Sequence, residues 1–497
     1  LIFFLNLIFL NYIFIYNINM DTMTSTDDER SRIPNLMKIG AIPLDTAMDY
    51  DTMVLDPVVN TQSFCRFVLD NRGFLNSFSR IQLSVAENSL SAVSAAALLP
   101  SGVGIYGLID RVALRIGTET VSEIVDFQHW MAYKSMFIDS DINLERETYL
   151  SSRIMSRRPI MKDDVGSQSN VNGSGWGIGT NKEYNIPSGV DGDLAPQEEL
   201  INQNFSEFSV SVADLVPWLR FNQLPLYMFG STQISLEIHF TPKASKGRMI
   251  TGVLGGGATF DIDTSKTQFI ADYIYYDNDL MARFAAENRN MNWTYTDYRL
   301  AKRSFTHTAL ASQQIVPIGG AGRLVNKVIS GLQPEFGSAE ETILNIYQAT
   351  CPGISASNNQ LCTTNLVYNN NRLYPVDRTS PSVHFHDLIS TEQNIPHVSR
   401  QEYCRGGTRS GAGLNAGIAP GISYNGNVQN APLGVGLEGV AFWLGYRLNR
   451  NERVDSKGID LQLQYGSLAN GQYIHRAYLE LVKTASLTPN GFTTGLA

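Results

Sequence analysis

Residues 105–139 read IYGLIDRVALRIGTETVSEIVDFQHWMAYKSMFID, and a change of rhythm inside that run decides the fold. Val112, Leu114 and Ile116 alternate with Arg111, Ala113 and Arg115. That two-residue period is the mark of a strand with one buried face. Gly117-Thr118-Glu119 reads as a tight turn, and residues 120–124 as a short return strand. From Asp126 the period lengthens. Phe127, Trp130, Met131, Lys134 and Phe137 recur at steps of three and four, which predicts a helix with one aromatic, apolar face. Asp126 is the expected N-cap. Strand, turn, strand and flanking helix make one corner of a β-sandwich.

Working outward, the same kind of alternation recurs. Residues 64–69 and 81–85 are expected strands, separated by the turn Asp70-Asn71-Arg72-Gly73. Further on, Ile234, Leu236, Ile238 and Phe240 alternate with Ser235, Glu237 and His239, the clearest strand signal in the chain. These bound a first unit at residues 61–242, interrupted at 140–204 by a long Gly-, Asn- and Ser-rich insertion. Residues 243–266 read as a linker, and 267–489 as a second unit on the same plan. Its expected strands are 269–275, 280–286, 293–298, 314–318, 324–329 and 475–482, together with a strand pair, 440–448 with 459–465. Loop insertions are expected near 333–379 and 406–433, with a short helix at 392–403 between them. Residues 20–60 form an expected N-terminal arm, and 490–497 a C-terminal tail. Roughly eight strands per half, few helices and long one-sided insertions predict an all-β chain of two tandem eight-stranded jelly rolls. An immunoglobulin-type sandwich would have fewer, more evenly spaced strands.

Composition narrows the function. The 497 residues exceed one ordinary core, and 43% hydrophobic with 17% charged residues describes a folded protein. A net charge of −9 argues against nucleic acid as the main partner, because such binding needs dense Lys and Arg to displace counterions. The basic stretch at residues 153–162 reads as a solvated loop. The four cysteines, Cys65, Cys351, Cys362 and Cys404, form no CxxC, and are read as free thiols with Cys65 on a buried strand face. Residues 1–19 use only Leu, Ile, Phe, Asn and Tyr, all encodable by codons of A and T alone, so they are expected to be a translated leader ahead of Met20, outside the fold.

Chemical motifs are sparse. His384-Phe385-His386-Asp387 is the best metal candidate, since alternate positions on a strand would put both imidazoles on one face, as in a cupin-like metalloenzyme. The upstream Gly and downstream Glu of the cupin pattern are missing: Arg378 stands at the first place, and Glu392 lies one step too far. Two strand histidines without a ligand set are therefore expected. The glycine runs at residues 173–179 and 411–417 lack the context of phosphate-cradling loops. No GxSxG or HExxH occurs, so no catalytic residue and no cofactor are assigned. Trp130, Trp218 and Trp443 are read as packing residues, within the core or between subunits. Leu236 and Leu461 are expected at the centre of inter-sheet cores.

The runs FCRFVLDNRGFLNSFSRIQLSV, GVGIYGLIDRVALRIGTETV and DFQHWMAYKSMF, with LVPWLRFNQLPLYMFGSTQISLEIHF later, resemble the first jelly roll of a double jelly-roll major capsid protein. The resemblance is closest to those of polinton-like viruses and virophages, within the adenovirus-hexon-like lineage. It implies a non-enzymatic virion protein whose homotrimers form pseudo-hexagonal capsomers, tiling an icosahedral shell around double-stranded DNA. The partners implied are the chain itself, neighbouring capsomers, and minor capsid or penton proteins. A jelly-roll module binding carbohydrate or a receptor is the alternative, with an aromatic-lined pocket in the loops at 140–204 or 333–379.

Overall fold

The computed structural model describes residues 49–87, 97–98, 103–137, 207–220, 224–241, 251–252, 260–288, 290–308, 313–334, 363–379, 381–396, 442–448, 461–466, 471–488 and 491–496, with a few single positions between. The insertions expected at 140–204 and 406–433, the leader at 1–19, Cys351, Cys362 and Cys404 lie outside the described residues.

The chain folds into two sandwiches of antiparallel sheets, a double jelly roll. The first is built from β1 (Asp49–Leu55), β2 (Val59–Asn60), β3 (Phe64–Leu69), β4 (Phe74–Leu75), β5 (Arg80–Glu87), β7 (Ile109–Ile116), β8 (Glu119–Val125), β9 (Glu207–Ser211), β10 (Leu224–Pro225), β11 (Ile234–Phe240), β13 (Phe260–Ile262) and β14 (Gln268–Tyr275). The short strands β6 (Ala97–Leu98) and β12 (Thr251–Gly252) pair with each other beside it. One sheet runs β2-β3-β11-β7-β8. The other runs β10-β4-β14-β5-β13, with β1 added to β14 and β9 to β5. The second sandwich uses β15 (Met291–His307), β16 (Gln314–Gly319), β17 (Val325–Pro334), β18 (Thr363–Tyr368), β19 (Asn371–Arg372), β20 (Trp443–Arg447), β21 (Leu461–Gly466), β22 (Gly471–Thr488) and β23 (Gly491–Leu496). Its sheets run β15-β22-β17-β20, with β23 on β22, and β16-β21-β18-β19.

The deciding stretch behaves as its period dictates. Val112, Leu114 and Ile116 are buried, and Gly117 adopts a left-handed φ of +62°, which reverses the chain into β8. On the outer face Arg111 pairs with Glu123 at 2.5 Å and Arg115 with Glu237 at 3.0 Å. Such cross-strand ion pairs fix register more than they stabilise. Cys65, Phe67 and Leu69 point inward from β3, and burial pushes the Cys65 thiol up to about 12.

Several expectations change. Residues 269–275 do not open the second unit: β14 pairs with β1, β4 and β5, and Phe269 meets Phe67 in the first core at 5.6 Å. Within the expected linker, β13 pairs with β5. The expected strand at 280–286 is a helix, Asn278–Glu287, whose Phe284 is buried. A short apolar run fits either period, and Asp279 in its first turn favours the helix. Residues 440–448 and 459–465 are not a pair. β20 bonds to β17, whereas β21 bonds to β16 and β18 in the opposite sheet, a crossover that sequence adjacency cannot reveal. β18 lies inside an expected loop, β23 inside the expected tail, and β1 and β2 inside the expected arm. A helix spans Pro381–Glu392, ending where one was expected to begin; 393–396 are not helical, and the rest of the expected helix, to 403, lies outside the described residues.

Candidate functional site: the seam between the two sandwiches

The helix Phe127–Ser135, here α1, leaves β8 and lies across the outer face of the β15-β22-β17-β20 sheet. Its sequence predicts one apolar face. In the structure Gln128, His129 and Ser135 are buried as well, and His129 meets Gln333 and Tyr347 of the second half. A second helix, α3 (Pro381–Glu392, with Asn278–Glu287 as α2), packs beside it on β20.

Asp126 precedes α1 in a left-handed conformation, φ 51° and ψ 47°, and makes no side-chain cap. The expected capping role is therefore replaced by another. Its carboxylate takes Arg476 Nε at 2.8 Å and Lys302 Nζ at 2.8 Å, and its carbonyl accepts the Tyr478 hydroxyl at 2.8 Å. Burial alone would raise this carboxyl, but Arg476 and Lys302 outweigh it and hold the group at about 2. Gln333 Oε1 accepts from Arg476 Nη1 at 2.6 Å and faces His129 Nε2 at 3.1 Å. An amide oxygen only accepts, so His129 carries its hydrogen on Nε2. Burial, then Arg476, keeps this imidazole well below its ordinary range and hence neutral.

One turn further, Trp130 lies 4.1 Å from Tyr298 and 5.3 Å from Tyr478, centroid to centroid. The Tyr133 hydroxyl donates to Glu392 Oε1 at 2.5 Å, and Lys134 Nζ sits 3.2 Å from Glu392 Oε2. Lys327 bridges Glu392 at 2.9 Å and Glu480 at 3.1 Å, while Tyr298 donates to Glu480 at 2.7 Å. Burial would raise Glu392 too, yet Lys134, Lys327 and the tyrosine hydrogen bond hold it at about 2. Beside α1, Asp297 of β15 accepts from Ser122 Oγ at 3.2 Å and from the Glu123 N–H at 3.3 Å on β8. It also meets Lys483 Nζ at 2.5 Å. Trp218 stacks on Trp293 with an interplanar angle of 6°.

The seam thus combines aromatic packing with three charged clusters whose carboxylates are largely buried and whose members come from both halves. Matched charges in a dry interface add little net stability, but every misaligned arrangement leaves a charge unpaired at a cost of several kcal/mol. The seam is built for one relative orientation of the sandwiches.

Trp130 and Trp443, buried to 0% and 1% exposure, lie at this seam, with Trp218 half-buried beside Trp293. Leu236 and Leu461, 1% and 0% exposed, sit in the separate cores of the first and second sandwich. His384 and His386 are not on a strand but on α3, where positions two apart face away from each other. His384 is buried against Phe442 and His386 is exposed, so the pair cannot share a metal. No group of three metal-ligating side chains occurs among the described residues. Sequence reasoning missed Arg476, Gln333, Lys327, Glu480 and Glu392. The signal was present in HRAYLELV, where Arg476, Tyr478 and Glu480 alternate with the apolar Ala477, Leu479 and Leu481. That pattern describes a strand with a second, polar buried face.

Two packed jelly rolls in one chain define the class by architecture. No protein-family model matches the sequence, and no curated protein matches it. Among solved structures, the chain is similar to PBCV-1 VP54, as fitted into a reconstruction of the virophage Sputnik. The TM-score is 0.52 and the identity 10%, over 92% of this chain and 98% of that one. The mavirus major capsid protein aligns at TM-score 0.49 and 11% identity, over 92% and 91% of the two chains. The Sputnik virophage structure aligns at 0.47 and 10%, over 92% and 90%.

Proposed function

We propose that this chain is a major capsid protein: a structural, non-enzymatic subunit of a virion. The observation that carries the reading is the seam. Two jelly rolls held in one orientation by buried charge give a single polypeptide two rigid, similar flanks. Three such chains closing on themselves present six near-equivalent edges, which suits hexagonal tiling of a shell. The likeness of fold to PBCV-1 VP54 over 92% of the chain supports the same reading. The insertions at 140–204 and 406–433 would form outward towers, the residues ahead of β1 would face inward, and double-stranded DNA would be the enclosed cargo. Neighbouring capsomers and minor capsid or penton proteins would be the further partners.

The test is native mass and negative-stain microscopy of the purified full chain. The reading expects homotrimers at micromolar concentration, seen end-on as pseudo-hexagonal particles. A monodisperse monomer would overturn it.

A further inference from the structure

Two surfaces remain unexplained by the seam, and they carry opposite charge. The first is the flank of the first sandwich farthest from the second. There β1 and β2 form the outer edges of the two sheets, whereas β8, at the opposite edge, abuts β15. Over ten residues this flank exposes Tyr50 (64%), Val54 (56%), Val58 (68%) and Val59 (38%). These are half of the eight exposed large hydrophobic residues among those described. Asp49, Asp51 and Asp56 are exposed among them, and among the described residues only Asp56 has a side-chain partner, Gln268 Nε2 at 3.2 Å. Among the described residues β1 pairs with β14 alone, and none of them bonds to its outer backbone edge. An open, apolar edge strand on a soluble subunit is an aggregation hazard unless something covers it.

The second surface is the β15–β16 edge of the second sandwich. Arg299 and Arg303 are exposed on β15, and Arg323 lies beside Arg299. Arg303 Nε donates to the Pro317 carbonyl at 3.0 Å, and no carboxylate among the described residues pairs with any of the three. Burial, then the like charge of Arg299, pulls the Arg323 guanidinium below its ordinary range. Ile315 of β16, 46% exposed, supplies apolar area next to them. Guanidiniums that no described carboxylate neutralises suit an incoming anionic surface.

We infer that the β1–β2 flank of one copy of this chain docks on the Arg299–Arg303–Arg323 edge of a second copy. This rests on the capsid-subunit reading and specifies its contact. Three carboxylates interleaved with four apolar side chains meet three guanidiniums beside Ile315. Within one chain the width of the first sandwich separates the two surfaces, so the contact is intermolecular. The surfaces differ, so the contact is head-to-tail, and a head-to-tail contact closes into a ring when its rotation permits.

Sedimentation of the full chain at micromolar concentration tests this with three charge-reversed forms. One carries Asp49→Lys, Asp51→Lys and Asp56→Lys. Another carries Arg299→Glu, Arg303→Glu and Arg323→Glu, and the last combines all six. Each triple alone is expected to weaken association at least tenfold, and the combination to restore it. Tyr50→Ser with Val58→Ser, which changes no charge, is expected to weaken association as well and serves if a reversed form fails to fold. Reversed triples that stay fully trimeric overturn the contact while leaving the capsid reading standing, as does a six-fold variant that stays dissociated. A monomeric wild type overturns both.

Discussion

The Asp126–Arg476 pair offers the sharpest test of the seam. Both side chains are 8% exposed, and the bond joins residues 350 positions apart in the chain. Holding Asp126 at about 2 against an ordinary 3.8 corresponds to about 2.5 kcal/mol of net preference for the ionised form, after the cost of burial is counted. Arg476→Met removes the main source of that preference and leaves the carboxylate with Lys302 alone, so about 3–5 kcal/mol of stability should be lost. Asp126→Asn, leaving Arg476 buried beside a neutral amide, should cost a similar amount. The double variant removes both charges together, so its loss should fall short of the sum by about 2 kcal/mol or more. The measurement is the urea midpoint of each form at one fixed protein concentration, with m-values compared. Additivity within about 0.5 kcal/mol would refute the reasoning, because it would mean the two charges do not sense one another.

Acid should act through buried histidine. Burial, then Arg476, holds His475 at about 3, against 6.5 for the free side chain, and Ser330 Oγ faces its Nε2 at 2.8 Å. A group whose folded value is depressed to this degree stays neutral in the native state, while the unfolded chain takes up its proton below pH 6.5. Stability therefore falls as pH drops from 6.5 towards 3, by about 2 kcal/mol at pH 5 from this residue alone. His129 acts in the same direction. His475→Gln should flatten the dependence of the urea midpoint between pH 7 and 5, and an unchanged slope would contradict the assignment. At Gly445 an added Cβ would lie 2.7 Å from Thr391 Oγ1 and 3.1 Å from the Leu388 Cα of α3. Gly445→Ala should thus cost about 1–3 kcal/mol by lifting the helix, read as a lowered melting temperature. Leu236→Asp and Leu461→Asp should each abolish soluble expression, since an unpaired buried carboxylate costs several kcal/mol. Val376→Asp, at a side chain 72% exposed, should leave expression unchanged.

What the sequence made legible follows from which interactions are local. The β7–β8 corner and β11 each bury one face, so a two-residue period announces them. The Leu280–Ala286 segment and the His384 region were misread because a few apolar residues satisfy both periods, and a single acidic residue such as Asp279 is too weak a start signal to separate them. The seam was almost invisible. Its bonds join Asp126 to Arg476 and Tyr133 to Glu392, across 350 and 259 positions. Nothing near Asp126 indicates that its carboxylate has a partner elsewhere, and its neighbours favour the simpler reading of a helix cap. Strand β14 was assigned to the wrong half for a related reason. Jelly-roll strands pair with distant segments, and a linker-like composition before one says nothing about its sheet.

The left-handed turn at Asp126 carries a consequence for biosynthesis. Its carbonyl waits for the hydroxyl of Tyr478, made 352 residues later. While the ribosome works through that interval, Trp130 and Tyr133 have no roof. The nascent chain must carry a sticky aromatic ridge until the strand holding Tyr478 has been made, and only then can the first-made half become safe to release.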